Sequence, residues 1–138
     1  MFLLDTVIIS ELRKKRPDAG VLRWISGQQD NQLFLSVVTL GEIERGIEKQ
    51  RGVAPEFAEE LATWIEYLAS LYADRILPIT PTIARHWGRL SARLGNEGAD
   101  LLIAATGLAH GLAVVTRNTG HFEPTGVNVI NPFNKPKT

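Results

Sequence analysis

Residues 2–16 read FLLDTVIISELRKKR. Phe2, Leu3 and Leu4 form an unbroken apolar run, and the run stops on Asp5. Behind it, Ile8, Ile9 and Leu12 fall at helical spacing and basic residues gather at the end. Thr6–Arg16 therefore reads as a helix, stopped by Pro17. A short strand without polar alternation is buried on both faces, which is the habit of parallel sheets covered by helices.

The same pattern recurs along the chain. Leu33–Ser36 (with Val37 and Val38), Ile76–Ile79, Leu112–Thr116 and Val127–Ile130 are further strand-like runs. Helices are expected at Asp18–Gly27, at Thr39–Gln50 and from Pro55 to Asp74, the last with Phe57, Leu61, Trp64, Leu68 and Leu71 as an apolar stripe. Thr80-Pro81 is an N-cap followed by proline at the first helical position, opening a helix to Leu94. Ala99–His110 closes on Gly111. The alternation predicts an α/β fold of three layers, α/β/α, around a mainly parallel sheet of four to five strands. Residues 1–132 read as one domain, and 133–138 as a tail leaving it, because the run NPFNKP at 131–136 is a chain breaker.

A chain of 138 residues is one domain by size and long enough to bury its own core. Hydrophobic residues make up 44% and charged residues 22%, which excludes a disordered chain. Fifteen basic and fifteen acidic side chains cancel, so a globally basic nucleic-acid binder is excluded, though a locally basic one is not. The halves differ: residues 1–69 carry a net of −3 and residues 70–138 a net of +3. The absence of cysteine removes disulfides, thiol catalysis and Cys-based zinc sites. MFLLDTVIIS lacks a basic start and Asp5 interrupts it, so it is not a secretory signal, and no apolar run is long enough for a membrane span. A cytoplasmic protein is expected.

In a parallel sheet, function gathers beyond the carboxyl ends of the strands. Asp5 ends the first strand, Glu42 lies in the helix after the second, and Asp100 starts the helix before the fourth. Thr116, Arg117, Asn118 and His121 follow the fourth. Three carboxylates at one edge repel each other unless a cation joins them, and hard oxygen donors suit Mg²⁺ or Mn²⁺. Each acid also has a plain structural reading. Thr39-x-x-Glu42 fits a capping box, and Asp100 suits a first helical turn. Asp5 is the hardest to dismiss, since acids are rarely buried without a partner. A phosphoacceptor receiver domain needs a Lys near a late strand, and a phosphatase of the Asp-x-Asp type needs an acid where Val7 stands. Glycine-rich nucleotide loops and G-x-S-x-G are absent. Metal-dependent hydrolysis without a covalent intermediate remains.

The segments LLDTVIISELRK, LSVVTLGEIERGIEKQ, GADLLIAATGLAHGLAVVTRN and HFEPTGV resemble the successive motifs of PIN-domain ribonucleases, and within them the VapC-type toxins of toxin–antitoxin modules. The resemblance runs in order from Met1 to about Pro132. It implies a PIN domain over 1–132, with an Mg²⁺- or Mn²⁺-dependent endoribonuclease activity. It also implies a homodimer and a cognate VapB-type antitoxin that blocks the site. The substrate class to test is RNA, including tRNA and other structured RNA. The family's three acids fall on Asp5, Glu42 and Asp100, its hydroxyl on Thr116 and the adjoining Asn on Asn118. Two positions depart from the family pattern: Val7 stands where Asn is common, and His121 where a fourth acid is common. Histidine cannot supply that fourth negative charge, which bears on a second metal.

Arg85, Arg89 and Arg93 recur every four residues and so line one helix face, beside His86 and Trp87. That face suits a phosphate backbone, or is simply solvated. Arg117 is nearer the acids in sequence and is the better single residue to grip a phosphate. The two rival functions are a PIN-like binding module without catalysis and a structure-specific DNA nuclease.

Overall fold

Five short strands, β1 (Phe2–Leu4), β2 (Leu33–Ser36), β3 (Ile76–Leu77), β4 (Ala113–Val115) and β5 (Val129–Ile130), lie side by side in the order β3-β2-β1-β4-β5. Every pairing is parallel. The structure, a computed structural model, describes residues 1–134. Its helices are α1 (Thr6–Arg13), α2 (Ala19–Ser26), α3 (Val37–Arg51), α4 (Pro55–Leu71), α5 (Pro81–Leu94), α6 (Ala99–His110) and α7 (Thr119–Phe122).

Side-chain alternation along the central strands explains the layers. Leu4, Leu33, Leu35 and Val115 point to one face, where Ile8, Ile9, Val21, Ile43, Ile47, Ile65 and Leu68 of α1–α4 cover them. Leu3 and Val114 point to the other, against Ile103, Ala104 and Phe122 of α6 and α7. Ile83 and Leu90 of α5 pack on Ala105 of α6. Both faces of each central strand are therefore dry, which is why the strand sequences are unbroken apolar runs. α6 approaches the sheet closely through Gly107: a Cβ there would stand 3.0 Å from Val127 Cγ2 and 3.2 Å from Val114 Cγ2. From β1 the chain builds outward to β2 and β3 on one side, then returns to place β4 and β5 on the other. The order reverses between β1 and β4, the place beyond the strand ends where open α/β sheets bind their ligands.

Several boundaries differ from the sequence reading, each for a local reason. α1 stops at Arg13, and Lys14 is extended, because the buried Glu11 carboxylate turns the chain: Oε1 takes Lys14 Nζ at 2.8 Å and Oε2 takes the Asp18 N–H at 2.9 Å. α3 starts at Val37 rather than Thr39, because the Ser36 hydroxyl accepts the Val38 N–H at 3.0 Å and caps the helix earlier. The capping box expected at Thr39 and Glu42 is thereby displaced. α7 and the 3₁₀ turn Glu123–Thr125 were not foreseen. Residues 133 and 134, expected to begin a departing tail, lie against the domain instead. Phe133 packs on the core and the Asn134 N–H donates to Asp18 Oδ1 at 2.9 Å. The rest of that tail, residues 135–138, lies outside the described residues.

The close packing at Gly107 makes a paired test. Gly107→Val is expected to lower stability by about 1–3 kcal/mol through overpacking. Gly88→Ala, where an added Cβ meets nothing within 4 Å, is expected to raise it by about 0.4–1 kcal/mol. Urea unfolding of both variants against the parent checks the pair.

Candidate active site

Asp5 follows β1 directly, and its backbone N–H donates to the Val115 carbonyl of β4 at 2.9 Å. That bond sets Asp5 at the carboxyl ends of the two strands. The carboxylate is 3% exposed. Oδ1 accepts the Thr6 N–H at 2.8 Å and Oδ2 accepts the Thr116 hydroxyl at 2.7 Å. Thr116 is wholly buried; its N–H donates to the Ile130 carbonyl at 2.9 Å, and its hydroxyl oxygen accepts the Asn118 N–H at 2.9 Å. The Asp5 carboxyl is raised to about 6 on balance: burial is the largest cause, the bond from Thr116 opposes it, and the charge of Asp100 adds to the rise. The Thr6 N–H lowers it again, and Glu42 adds a last upward push. Asp5 thus feels both other acids.

Glu42 sits in the second turn of α3 and is half-buried. Its Oε1 accepts the Thr6 hydroxyl at 2.6 Å, and the Thr39 hydroxyl stands 3.0 Å from Thr6 Oγ1. Thr6 therefore touches two of the acids, through its N–H and its hydroxyl. Sequence reading overlooked it, although a hydroxyl residue directly after a buried acid is a signal for this role. Asp100 lies in the first turn of α6, and its Oδ2 is 2.7 Å from His121 Nδ1 of α7. His121, in the place of an expected acid, is thus paired with one. Val7 turns to the core beside Leu4 and Ile8, so the polar contact that the family pattern suggests is replaced by packing.

Among the described residues, no group of three or more His, Asp and Glu side chains converges to hold a metal ion. Of the expectation that Asp5, Asp100 and Glu42 hold one ion, directly or through water, direct ligation by all three at once is not prearranged. Glu42 and Asp100 are turned to Thr6 and His121, and each has its own partner. The donor set nonetheless fits a hard cation. It is all oxygen, its central carboxylate is buried at a raised pKa, and both neighbours push that pKa the same way. Mg²⁺ keeps several of its waters and needs only one or two carboxylates, so a loose set suffices.

The predicted nucleic-acid contacts separate. Asn118 starts α7 beside Thr116 and stays with the site. Arg117 turns elsewhere: its guanidinium lies 4.6 Å from the Phe133 ring centroid and lines a small cavity of 110 Å³ with Glu11, Lys14, Arg16 and Asp18. None of the three acids lines that cavity. Arg85 and Arg89 are exposed on α5, with Trp87 half-buried beneath them. The last turn of α5 joins the first turn of α6 through residues 95–98, which brings Arg93 near Asp100 along the chain. From Glu42 a cleft of 230 Å³ runs past Thr6 and Arg13 to Phe57 and Trp64. It continues as a 200 Å³ groove between α1 and α4, which ends at Tyr67 and Leu71, 63% and 50% exposed. Arg13 stands between the two, over the rings of Phe57 and Trp64. Of the apolar stripe, Leu68 is core and Leu61 and Trp64 pack against it, while Leu71 at the end of α4 is exposed.

The sequence profile of the PIN domain matches residues 2–126. A VapC ribonuclease, Y4jK, from Sinorhizobium fredii is 38% identical, covering 96% of this chain and 98% of that one. Toxin FitB from Neisseria gonorrhoeae is 32% identical, covering 96% and 99%. The crystal structure of FitAcB from the same organism superposes with a TM-score of 0.85 at 32% identity, over 98% of this chain and 100% of that one.

The raised pKa of Asp5 makes a stability test. An unfolded aspartate ionises near 3.8, the folded one near 6, so ionisation is harder in the folded protein. Stability is greatest below the unfolded value, falls as pH rises between the two, and is level above the upper one; the full fall is roughly 3 kcal/mol. Asp5→Asn is expected to be more stable than the parent at pH 7.5 in metal-free buffer and to lose that slope. Thermal melts from pH 3 to 8 check it, and a variant that melts lower than the parent at pH 7.5 counts against the assignment.

Proposed function

The chain belongs to the PIN-domain family, and from that premise we propose that it is a metal-dependent endoribonuclease that acts as the toxin of a toxin–antitoxin module. One observation carries the reading: Asp5 is a buried carboxylate at the switch point of a parallel sheet, aimed by a Thr116 hydroxyl and pressed by two further acids. The similarity to a VapC ribonuclease and to a toxin over nearly the whole chain supports the same conclusion.

In this proposal Asp5 and Asp100, with Glu42 beside them, would hold Mg²⁺ or Mn²⁺, which when bound would supply a water of lowered pKa and a Lewis acid for the phosphoryl oxygen. The protein's own part is orientation. Thr116 and Thr6 hold the two oxygens of Asp5, and Thr6 also holds Glu42, so neither carboxylate has to be ordered when substrate arrives. His121 has Nδ1 on Asp100, which leaves Nε2 to meet a phosphate. The arginines of α5 contribute a longer-range attraction for the RNA backbone. A VapB-type antitoxin blocks the site by seating a segment in the groove that begins at Glu42, and the toxin itself is a homodimer acting in the cytoplasm. No helix among the described residues is long and apolar enough to cross a membrane.

The pairing of Asp100 with His121, and the lack of a converged acid cluster, favour one second reading, a PIN-like module that binds RNA without cutting it. The two are separated as follows. Asp5→Asn and Asp100→Asn, with parent-like circular dichroism, are expected to cut RNA slower by about a hundredfold or more. Mn²⁺ is expected to raise the melting temperature of the parent and not that of Asp5→Asn. A parent that neither cuts RNA nor shifts with either ion supports the binding module. For the basic face, Arg89→Glu is expected to flatten the dependence of RNA affinity on salt by about one unit of slope if the contact exists. An unchanged slope leaves that face merely solvated.

A further inference from the structure

After β5 the chain turns back to Arg117 and to the start of α2. Asn131 Oδ1 accepts the Phe133 N–H at 3.0 Å, which fixes the turn and presents the Phe133 ring. The ring lies against the Arg117 guanidinium, 4.6 Å from its carbon to the ring centroid. One residue on, the Asn134 N–H donates to Oδ1 of Asp18, a buried carboxylate that also caps α2 through the N–H groups of Gly20 and Val21. The crossing is tight. A Cβ on Gly20 would meet the Pro132 carbonyl oxygen, and would stand 2.5 Å from Asn134 Oδ1. Gly20 is therefore required by the close approach of residues 132–134 and not by its own backbone angles.

The segment thus has two fixed ends. One is Ile130, whose carbonyl holds the Thr116 N–H, and the other is Asp18 at the start of α2. Between them lies the loop of residues 116–118. We propose that residues 131–134 are a strap that positions the Thr116 hydroxyl on Asp5, with Phe133 as the positioning residue.

The loop is held at each of its three residues. Thr116 is held by β5, Arg117 by Phe133, and Asn118 by the Thr116 hydroxyl oxygen. The same hydroxyl donates to Asp5 Oδ2. A rotation of the loop about Arg117 shifts Asn118, and with it the hydroxyl that orients Asp5. Phe133 touches none of the acids, so it acts through the loop. Stacking of a guanidinium on an aromatic face, partly desolvated, is strong enough to bias such a rotation.

The inference rests on the nuclease reading only for its effect on rate. Its structural part is tested without substrate, by amide hydrogen exchange on the full chain. Phe133→Ala is expected to speed exchange at the Thr116 and Asn118 amides. The Leu35 amide, bonded to the Arg75 carbonyl at 2.9 Å on the far side of the sheet, is expected to keep its protection. RNA cleavage is expected to lose about tenfold in kcat with KM little changed, the signature of misorientation. Phe133→Tyr, which keeps the ring, is expected to restore both. Gly20→Ala, which pushes the strap from its other side, is expected to reproduce the exchange pattern. Parent-like exchange at Thr116 and Asn118 in Phe133→Ala overturns the strap. So does an equal loss of protection at Leu35, which makes Phe133 a core residue and nothing more, and so does failure of Phe133→Tyr to restore. A parent inactive on RNA sinks the nuclease reading instead, and the exchange data still decide the strap.

Discussion

The hydrogen bond from Thr116 to Asp5 joins the ends of the two strands between which the sheet reverses its order. It is buried, so it cannot be replaced by water without opening the layers around it. A carboxylate in that place is tolerable only with donors fixed on it, because an unpaired buried charge costs several kcal/mol. Two donors come from different parts of the chain: the Thr6 N–H from the start of α1, the Thr116 hydroxyl from the end of β4. The register of β1 on β4, Leu4 opposite Val115, follows from the same requirement, since a slip of one residue would turn Asp5 to a helix layer. Thr6 then carries the arrangement on to Glu42, and Asn118 carries it on to α7.

Much of this was legible in the sequence. Unbroken apolar runs separated by helical stripes specify a parallel sheet covered on both faces, and that in turn places Asp5, Glu42, Asp100 and Thr116 at one edge. What escaped was what depends on competition between neighbours. Thr39 reads as a helix cap and Ser36 as the end of a strand, yet the Ser36 hydroxyl takes the Val38 N–H and starts the helix two residues earlier. Glu11 looks like a residue of an amphipathic helix, yet its buried carboxylate ends that helix by taking the Asp18 N–H. The Pro- and Asn-rich run after Ile130 reads as a chain end because proline and asparagine stop regular structure. They do not forbid docking, and Phe133 finds a cation 16 positions back in the chain that no local pattern could pair with it. Helix α7, only four residues long, has too little periodicity to register at all.

The zero net charge of the chain resolves into local imbalance. Glu42 and Asp100 act on Asp5 at one end of the sheet, while Arg85, Arg89 and Arg93 are exposed on α5. Arg13 and Arg117 lie against aromatic rings, Phe57 and Trp64 for one and Phe133 for the other. Of the three acids, Asp100 has the His121 imidazole 2.7 Å away, while Asp5 and Glu42 are met by neutral donors, the Thr6 N–H and the Thr116 and Thr6 hydroxyls. Neutral donors orient a carboxylate without cancelling its charge, which suits a site for a small hard cation.

That arrangement has a thermodynamic consequence. The rise in Asp5's pKa, from 3.8 to about 6, means that ionising this group costs roughly 3 kcal/mol more in the folded protein than in the unfolded chain. Domains of this size have about 5–15 kcal/mol of stability in all. Such a cost is tolerated only where packing supplies the difference, and the dry sheet, with helices closing on both faces and α6 drawn in at Gly107, is that source. Any species that offsets the charge of Asp5 in the folded state and not in the unfolded one stabilises the fold by mass action. Stability and function are therefore coupled through one carboxylate, with the fold least favourable in the ionised, uncompensated form that a cation would bind most strongly.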